Sequence, residues 1–528
     1  MAVDKIMSVE QAAELIRDGD TVACVGFGVA GLPEEVLRAI EARFTASGHP
    51  RDLGVVFAAG QGNLGKVKGD GMERFAHPGM LKRIIGGHYG TCPRLGAMVN
   101  AGECEAYNLP QGVITHLFRA IAGRKPGVVT KVGLKTFVDP RLEGGALNSR
   151  TPRDFVKVVE LLGEEWLLYP RVQLDIGLIR GTVADEYGNV TMDEEAVFLE
   201  ALSVAQAVKA CGGKVIVQVK RIAKEGTLHP QHVKVPGVLV DAIVVAKDPE
   251  KTHRQCEGRY YDPVLCGHTK VPLDAIPPLA LDERKIICRR AAMELRPGAV
   301  VNLGIGVPEG VASVAAEEGI SDWMVLTVES GPIGGVPSAG TSFGTATNAH
   351  AIIDQPYQFD FYDGGGLDIT YLGLAQVDQK GNVNVSKFGP RIPGCGGFIN
   401  ISQNSKKVVF CGSMTAGDSR IEVVDGKLQI VQDGKFIKFV KQVEQVTFSG
   451  EYAVDVNQPV LFVTERAVFE LTPSGLELLE VAPGVDIERD VLSKMEFKPT
   501  VSRRLKQMPA EIFRAEPRGL AERLNGRQ

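Results

Sequence analysis

At 528 residues the chain is too long for one ordinary hydrophobic core, so at least two domains are expected. Hydrophobic residues at 44%, charged residues at 23% and a net charge of −5 fit a soluble globular chain and argue against a nucleic-acid partner. Nine cysteines with no Cys-x-x-Cys, no apolar run of membrane-spanning length and no apolar leader at the start predict reduced thiols in the cytoplasm, without membrane or export.

In chain order, Gln11 to Arg17 has helical spacing and Thr21 to Val25 reads as an apolar strand. Gly26-Phe27-Gly28-Val29-Ala30-Gly31 leads from that strand into a helix. Pro33, Glu34 and Glu35 suit its first turn and its dipole, and Val36, Leu37, Ile40 and Phe44 share one face. The glycine spacing is that of a dinucleotide-binding turn, yet the next strand, Gly54 to Ala58, lacks the acidic residue that would hold a ribose. A tight turn closing the strand–helix unit is the expectation. Gly60-Gln61-Gly62-Asn63-Leu64-Gly65-Lys66-Val67 narrowly misses a phosphate-binding loop, because Val67 replaces the hydroxyl residue that would hold Mg²⁺. It reads instead as a glycine loop beside an active site. His253-x-x-Cys256 and Cys266-x-His268 offer ligand types without a closed tetrahedral spacing, so no metal is expected.

The plan then repeats. Arg290 to Leu295 reads as helix and Ala299 to Leu303 as strand, and Gly304-Ile305-Gly306-Val307-Pro308-Glu309 leads into another helix. Asp185-Glu186-Tyr187-Gly188-Asn189 is echoed by Asp378-Gln379-Lys380-Gly381-Asn382, each after an apolar strand (Ile176 to Ile179, Ile369 to Leu374). Asp-x-x-Gly-Asn is turn chemistry. Further apolar runs at Lys214 to Gln218, Val238 to Val245, Met324 to Val328, Lys407 to Cys411 and Val460 to Val463 predict buried strands of mostly parallel sheets. Two tandem, related open α/β domains are expected, 1–270 and 284–528, the second carrying the reactive residue. A linker of residues 271–283, rich in proline, joins them, and the basic tail after Asp490 reads as helical.

The decisive segment is Val325-Leu326-Thr327-Val328-Glu329-Ser330-Gly331-Pro332-Ile333-Gly334-Gly335, an apolar strand ending at a carboxylate before a glycine-rich turn. Ligands of open α/β sheets sit beyond the carboxyl ends of strands, and small neighbours predict an accessible Glu329. Spacing alone leaves open a surface Glu with a capping role.

Glu329-Ser330-Gly331-Pro332-Ile333-Gly334 resembles the nucleophile motif of family I CoA-transferases. Gly364 to Asp378, Ile392-Pro393-Gly394-Cys395-Gly396-Gly397-Phe398 and Tyr107-Asn108-Leu109-Pro110-Gln111-Gly112 match further family segments in the right order, over nearly the whole chain. The pattern is nearest to bacterial acetate and propionate CoA-transferases, which fuse both halves. Ser330 departs from the 3-oxoacid branch, which has Asn there. The resemblance implies the NagB/RpiA/CoA-transferase-like fold, Glu329 as covalent nucleophile, acyl-CoA and short-chain carboxylates as substrates, and a homo-oligomer, often a tetramer. It implies no tightly bound cofactor, CoA being a substrate. Oxyanion and CoA contacts are expected from Gly304, Gly306 and Val307 and from Gly396 and Gly397, with Asn63 and Gln111 lining the substrate pocket, placed between the domains to exclude water. An acyl-CoA hydrolase on the same scaffold, and a non-catalytic sensor of CoA esters or sugar phosphates, remain alternatives.

Overall fold

The computed structural model describes residues 4–63, 69–272, 279–516, 519, 520 and 522. Two compact units divide the chain: one of Met1–Val271, Val328–Asp360 and Phe388–Asn400, the other of Pro272–Thr327, Phe361–Lys387 and Ile401–Gln528. The first boundary falls beside the expected linker. The segment holding Glu329 nevertheless groups with the first unit rather than with the second half of the sequence. Residues 273–278, with most of the predicted proline cluster, lie outside the described residues.

The first unit is built on seven strands: β1 (Thr21–Cys24), β2 (Leu53–Phe57), β3 (Leu81–Gly86), β4 (Glu105–Asn108), β5 (Ile176–Arg180), β6 (Lys214–Val219) and β7 (Ala242–Val245). Their order is β7-β6-β5-β1-β2-β3-β4 and every neighbouring pair is parallel. Fully parallel strands are covered on both faces, and the runs read from sequence are accordingly dry: Val22, Ala23, Cys24, Phe57, Leu178, Ile179 and Val217 have no exposed surface. Helix α1 (Glu34–Ser47) brings Val36, Leu37 and Ile40 into the same core as Val22, Val55 and Ile84. Further helices of this unit are α2 (Gln111–Ala122) and α3 (Ala201–Ala210). At Gly177 a Cβ would lie 3.1 Å from Val208 Cγ2, so the glycine lets α3 approach β5.

In the second unit β8 (Ala299–Leu303), β9 (Met324–Thr327), β10 (Ile369–Gly373), β11 (Val408–Cys411) and β12 (Val460–Val463) form a parallel set in the order β9-β8-β10-β11-β12. The chain then turns back through β13 (Ala467–Thr472) and β14 (Gly475–Val481), both antiparallel to their predecessors. The predicted helical tail is instead an outer strand, β15 (Thr500–Gln507), parallel to β14, preceded by short helical turns at Ile487–Lys494. Its basic residues are exposed, and such charge suits a strand at a sheet edge, where it discourages pairing with another chain. Helix α4 (Glu283–Ala292) starts inside the expected linker, because Asp282 caps it by accepting the Lys285 N–H at 3.0 Å.

The two Asp-x-x-Gly-Asn turns are built alike. Asp185 accepts the N–H groups of Gly188 and Asn189 at 2.9 and 2.8 Å and the Asn189 side-chain amide at 2.9 Å. Asp378 accepts those of Lys380 and Asn382 at 2.9 and 3.1 Å and the Asn382 amide at 3.1 Å. Each Asn then accepts a glycine N–H, Gly237 at 2.9 Å and Gly450 at 3.0 Å. The repeat is thus a shared hydrogen-bond network, not a chance of composition. Asp185→Ala should cost about 1–3 kcal/mol, because buried donors lose a charged acceptor, and denaturant unfolding measures it.

Candidate active site

The strand order of the first unit departs from β1 in both directions, so β1 and β5 flank a switch point whose carboxyl-end crevice is where such sheets bind ligands. The loops leaving β2, β3 and β4 at that end carry Gln61 and Asn63, His88, and Gln111. Segment 393–396 is laced to them through the backbone. The N–H groups of Tyr89 and Gly90 both donate to the Pro393 carbonyl, at 2.7 and 2.9 Å. Gly396 N–H donates to Gly87 O at 2.7 Å and Gln111 N–H to Gly396 O at 2.9 Å. Asn108 Oδ1 accepts the Cys395 N–H at 2.9 Å, while its amide donates to Gly86 O and Gly87 O at 2.9 and 2.6 Å.

This lacing corrects one expectation. The Gly396 N–H is committed to Gly87, so Gly396 cannot also serve as an oxyanion donor in this state. Gly397 N–H has no acceptor among the described residues and stands at the start of the helix Phe398–Asn404, where backbone donors are left over. Gln111 is buried, and its amide nitrogen likewise lacks a partner.

Glu329 follows β9 by two residues. A tight turn holds it: Gly331 N–H donates to Val328 O at 3.0 Å and Val328 N–H to Pro332 O at 3.0 Å. Ser330 is fully buried and its hydroxyl donates to Gly344 O, and Ile353 N–H donates to Gly331 O at 3.1 Å. Gly331 has φ +132°, and a Cβ there would lie 2.1 Å from Ile353 O, so only glycine fits. Glu329 is not the accessible surface group expected. It is only 9% exposed, since the residues packed around this turn leave little of it uncovered. Among the described residues no Lys, Arg or His pairs with it, and burial pushes its pKa up to about 7. A carboxylate that meets only its own backbone N–H, with no ion-pair partner among the described residues, has no evident structural task to repay its burial.

Of the remaining expected residues, Asn63 and Gly304 are engaged elsewhere, while Gly306 and Val307 are not. Asn63 is buried and donates to Asp70 Oδ2 at 3.2 Å; Leu64 to Val67 of the same loop lie outside the described residues. In the second unit, Gly304 follows β8, whose Asn302 stands opposite Thr327 of β9. Gly304 N–H is spent on Tyr371 O at 2.8 Å, whereas the N–H groups of Gly306 and Val307 have no acceptor among the described residues. Gly306 has φ +91° and open space around it. The zinc-type residues serve structure. His253 Nε2 meets Glu195 at 2.8 Å, in a buried trio completed by Arg180, and His268 Nδ1 meets Tyr261 at 3.0 Å. Among the described residues no group of three His, Cys, Asp or Glu could hold a metal ion. Sequence reasoning missed His88, although Gly86-Gly87-His88-Tyr89-Gly90 after an apolar strand was a visible signal.

The family model for Coenzyme A transferase matches residues 6–246. A caffeate CoA-transferase of Acetobacterium woodii is 47% identical over 522 residues, covering 98% of both chains. An acetate CoA-transferase of Escherichia coli, YdiF, is 43% identical, covering 96% of this chain and 95% of its own. The crystal structure of the acyl-CoA transferase YdiF of Escherichia coli O157:H7, in a thioester complex with CoA, superimposes with a TM-score of 0.90 at 40% identity, over 97% of this chain and 96% of that one.

Proposed function

The chain belongs to the coenzyme A transferase family and moves CoA between an acyl-CoA and a free carboxylate, and we propose that it does so through a covalent thioester on Glu329. What supports this reading most is a buried carboxylate with no counter-ion, held after a parallel strand by a turn that only glycine can make.

The chemistry asks for such a group. Thioesters are open to attack and CoA thiolate is a good leaving group, so a carboxylate needs no base to activate it. Glu329 oxygen attacks the thioester carbonyl, the C–S bond breaks, and an acyl-glutamyl anhydride and CoA thiolate result. The thiolate attacks the glutamyl carbonyl and the first acid leaves as carboxylate. The glutamyl-CoA thioester conserves the bond energy, and a second carboxylate reverses the steps, which gives ping-pong kinetics. The Gly397 amide is the proposed oxyanion donor, such a donor being worth about 3–4 kcal/mol of barrier, and the amides of Gly306 and Val307 are proposed for CoA binding. Gln111 and Asn63 are the proposed pocket residues. No further cofactor takes part in this route.

Short-chain acids such as acetate and propionate are the proposed substrates. The identity to a caffeate CoA-transferase favours a bulkier aromatic acid as the second reading. Rates with acetate and with caffeate as acceptors separate the two, and product formed without any acceptor would mark a hydrolase. Among the described residues no helix is long and apolar enough to cross a membrane. A cytoplasmic homo-oligomer, a tetramer by the family resemblance, completes the proposal.

The test is mass spectrometry of enzyme mixed with acetyl-CoA: CoA should be attached to the peptide containing Glu329, and borohydride should then inactivate the enzyme. Unmodified enzyme that still transfers CoA would defeat the proposal. Because the attacking form is the anion and burial holds the pKa at about 7, thioester formation should fall about tenfold for each pH unit below 7 and level off above it. Stopped-flow loading across pH 5–9 checks the slope.

A further inference from the structure

His88 is caged by glycine. A Cβ at Gly60 would lie 2.6 Å from its Nδ1, and one at Gly90 would lie 2.8 Å from Cε1 and 3.2 Å from Nε2. At Gly394 a Cβ would lie 3.0 Å from the His88 Cα, and at Gly396 3.8 Å from Cδ2. Gly60 and Gly90 thus leave room for the imidazole, Gly394 lets its segment approach the His88 backbone, and the ring lies in ordinary contact with Gly396. The backbone bonds from Tyr89 and Gly90 to Pro393 and from Gly396 to Gly87 fix it on both sides. Such a ring is held far more firmly than a surface histidine, yet neither nitrogen has a hydrogen-bond partner among the described residues, and the residue keeps partial solvent access. Burial with no counter-charge pushes its pKa down to about 4, so the ring is neutral at physiological pH. A neutral ring fixed in this way, with both nitrogens unclaimed by protein groups among the described residues, has an N–H to offer a ligand that enters from solvent.

We propose that His88 donates a ring N–H to the carboxylate of the incoming acid and so orients it for attack on the glutamyl thioester. This rests on the proposed Glu329 mechanism, in which segment 394–397 borders the reacting carbonyl. The acid must be held without being made inert. A Lys or Arg would bind it as an ion pair and draw charge from the oxygen that has to attack, whereas a neutral N–H binds while leaving most of the negative charge in place. Gln111, at the start of α2, has its amide oxygen 3.6 Å from the Cβ position of Gly396 and its amide nitrogen without a partner among the described residues, and so stands against the same segment as a second neutral donor.

The experiment starts from enzyme loaded to the glutamyl-CoA thioester and follows its discharge by acetate and by hydroxylamine, a neutral nucleophile with no carboxylate to position. His88→Leu, which lacks a donor, should slow discharge by acetate about 10- to 100-fold, the worth of one hydrogen bond to a charged group, and raise the KM for acetate. Discharge of the same variant by hydroxylamine should change by no more than about twofold. His88→Gln and His88→Asn place an amide donor near Nε2 and Nδ1 respectively, and one of them should restore most of the acetate rate. Circular dichroism confirms that each variant is folded. Equal losses with both nucleophiles, no loss with acetate, or no rescue by either amide overturns the inference. Wild-type enzyme that never acquires CoA overturns the glutamyl-thioester reading itself; wild type that loads, beside a Leu variant that discharges normally to acetate, overturns the role of His88 alone.

Discussion

Glu329→Gln should lower CoA transfer by about 10⁴-fold or more, the scale seen when a covalent nucleophile is removed, and should at the same time stabilise the folded protein above neutral pH. The second effect follows from linkage. The folded-state pKa is about 7 against an ordinary 4.5, so between those values the folded protein holds a proton that the unfolded chain has released. Stability therefore falls as pH rises through this window and stays reduced above it. At about 1.4 kcal/mol per unit the cost is about 3 kcal/mol, present in full above pH 7 and absent below pH 4.5. The glutamine keeps the shape and has no charge to desolvate. Urea unfolding at pH 8 should show the variant more stable by about 2–3 kcal/mol, with the gap closing at pH 4. Equal stability at both pH values would mean that the Glu329 carboxylate is solvated or paired, and the proposed reason for its burial would fall. A variant inactive because it misfolds would show the opposite sign.

The strands were legible in the sequence because parallel strands buried on both faces are written as apolar runs, and Leu53–Phe57, Lys214–Val219 and Val408–Cys411 carry little else. The turn that holds the proposed nucleophile was legible for a related reason: glycines follow Glu329 where the backbone needs positive φ. Other features depend on tertiary contacts that local pattern does not encode. The basic tail has no apolar stripe to mark a strand and is one only because β14 offers an edge. That the Gly396 amide is not free is decided by Gly87, some three hundred positions earlier in the sequence, which takes it up. The exposure of Glu329 was misjudged in the same way, since small neighbours in sequence say nothing of what packs over them in space.

Gly331→Ala should reduce kcat by about 10²-fold or more although the substituted residue does no chemistry. Two costs can be separated. The first is conformational: an L-residue in the left-handed α region costs about 1–2 kcal/mol, and at the φ of +132° of Gly331 at least as much. Gly79, at φ +79° with nothing within 4 Å of a Cβ, shows the lower bound of that cost, so Gly79→Ala should lose about 1 kcal/mol of stability and keep full activity. The second is steric and belongs to Gly331, whose Cβ would sit 2.1 Å from the carbonyl oxygen of Ile353 while Ile353 N–H bonds Gly331 O at 3.1 Å. Backbone cannot yield as a flexible side chain does, so relief requires the Ile353–Gly331 hydrogen bond to open and the Val328–Gly331 turn to shift. Glu329 lies within that turn, and a displacement near 1 Å takes its oxygen out of line with a thioester carbonyl. Mass spectrometry of the loading step should therefore show slow thioester formation in Gly331→Ala with acyl-CoA at saturation, which places the defect in kcat rather than in binding. Normal loading in that variant would show that the turn does not aim the nucleophile, and that the glycine is kept for stability alone.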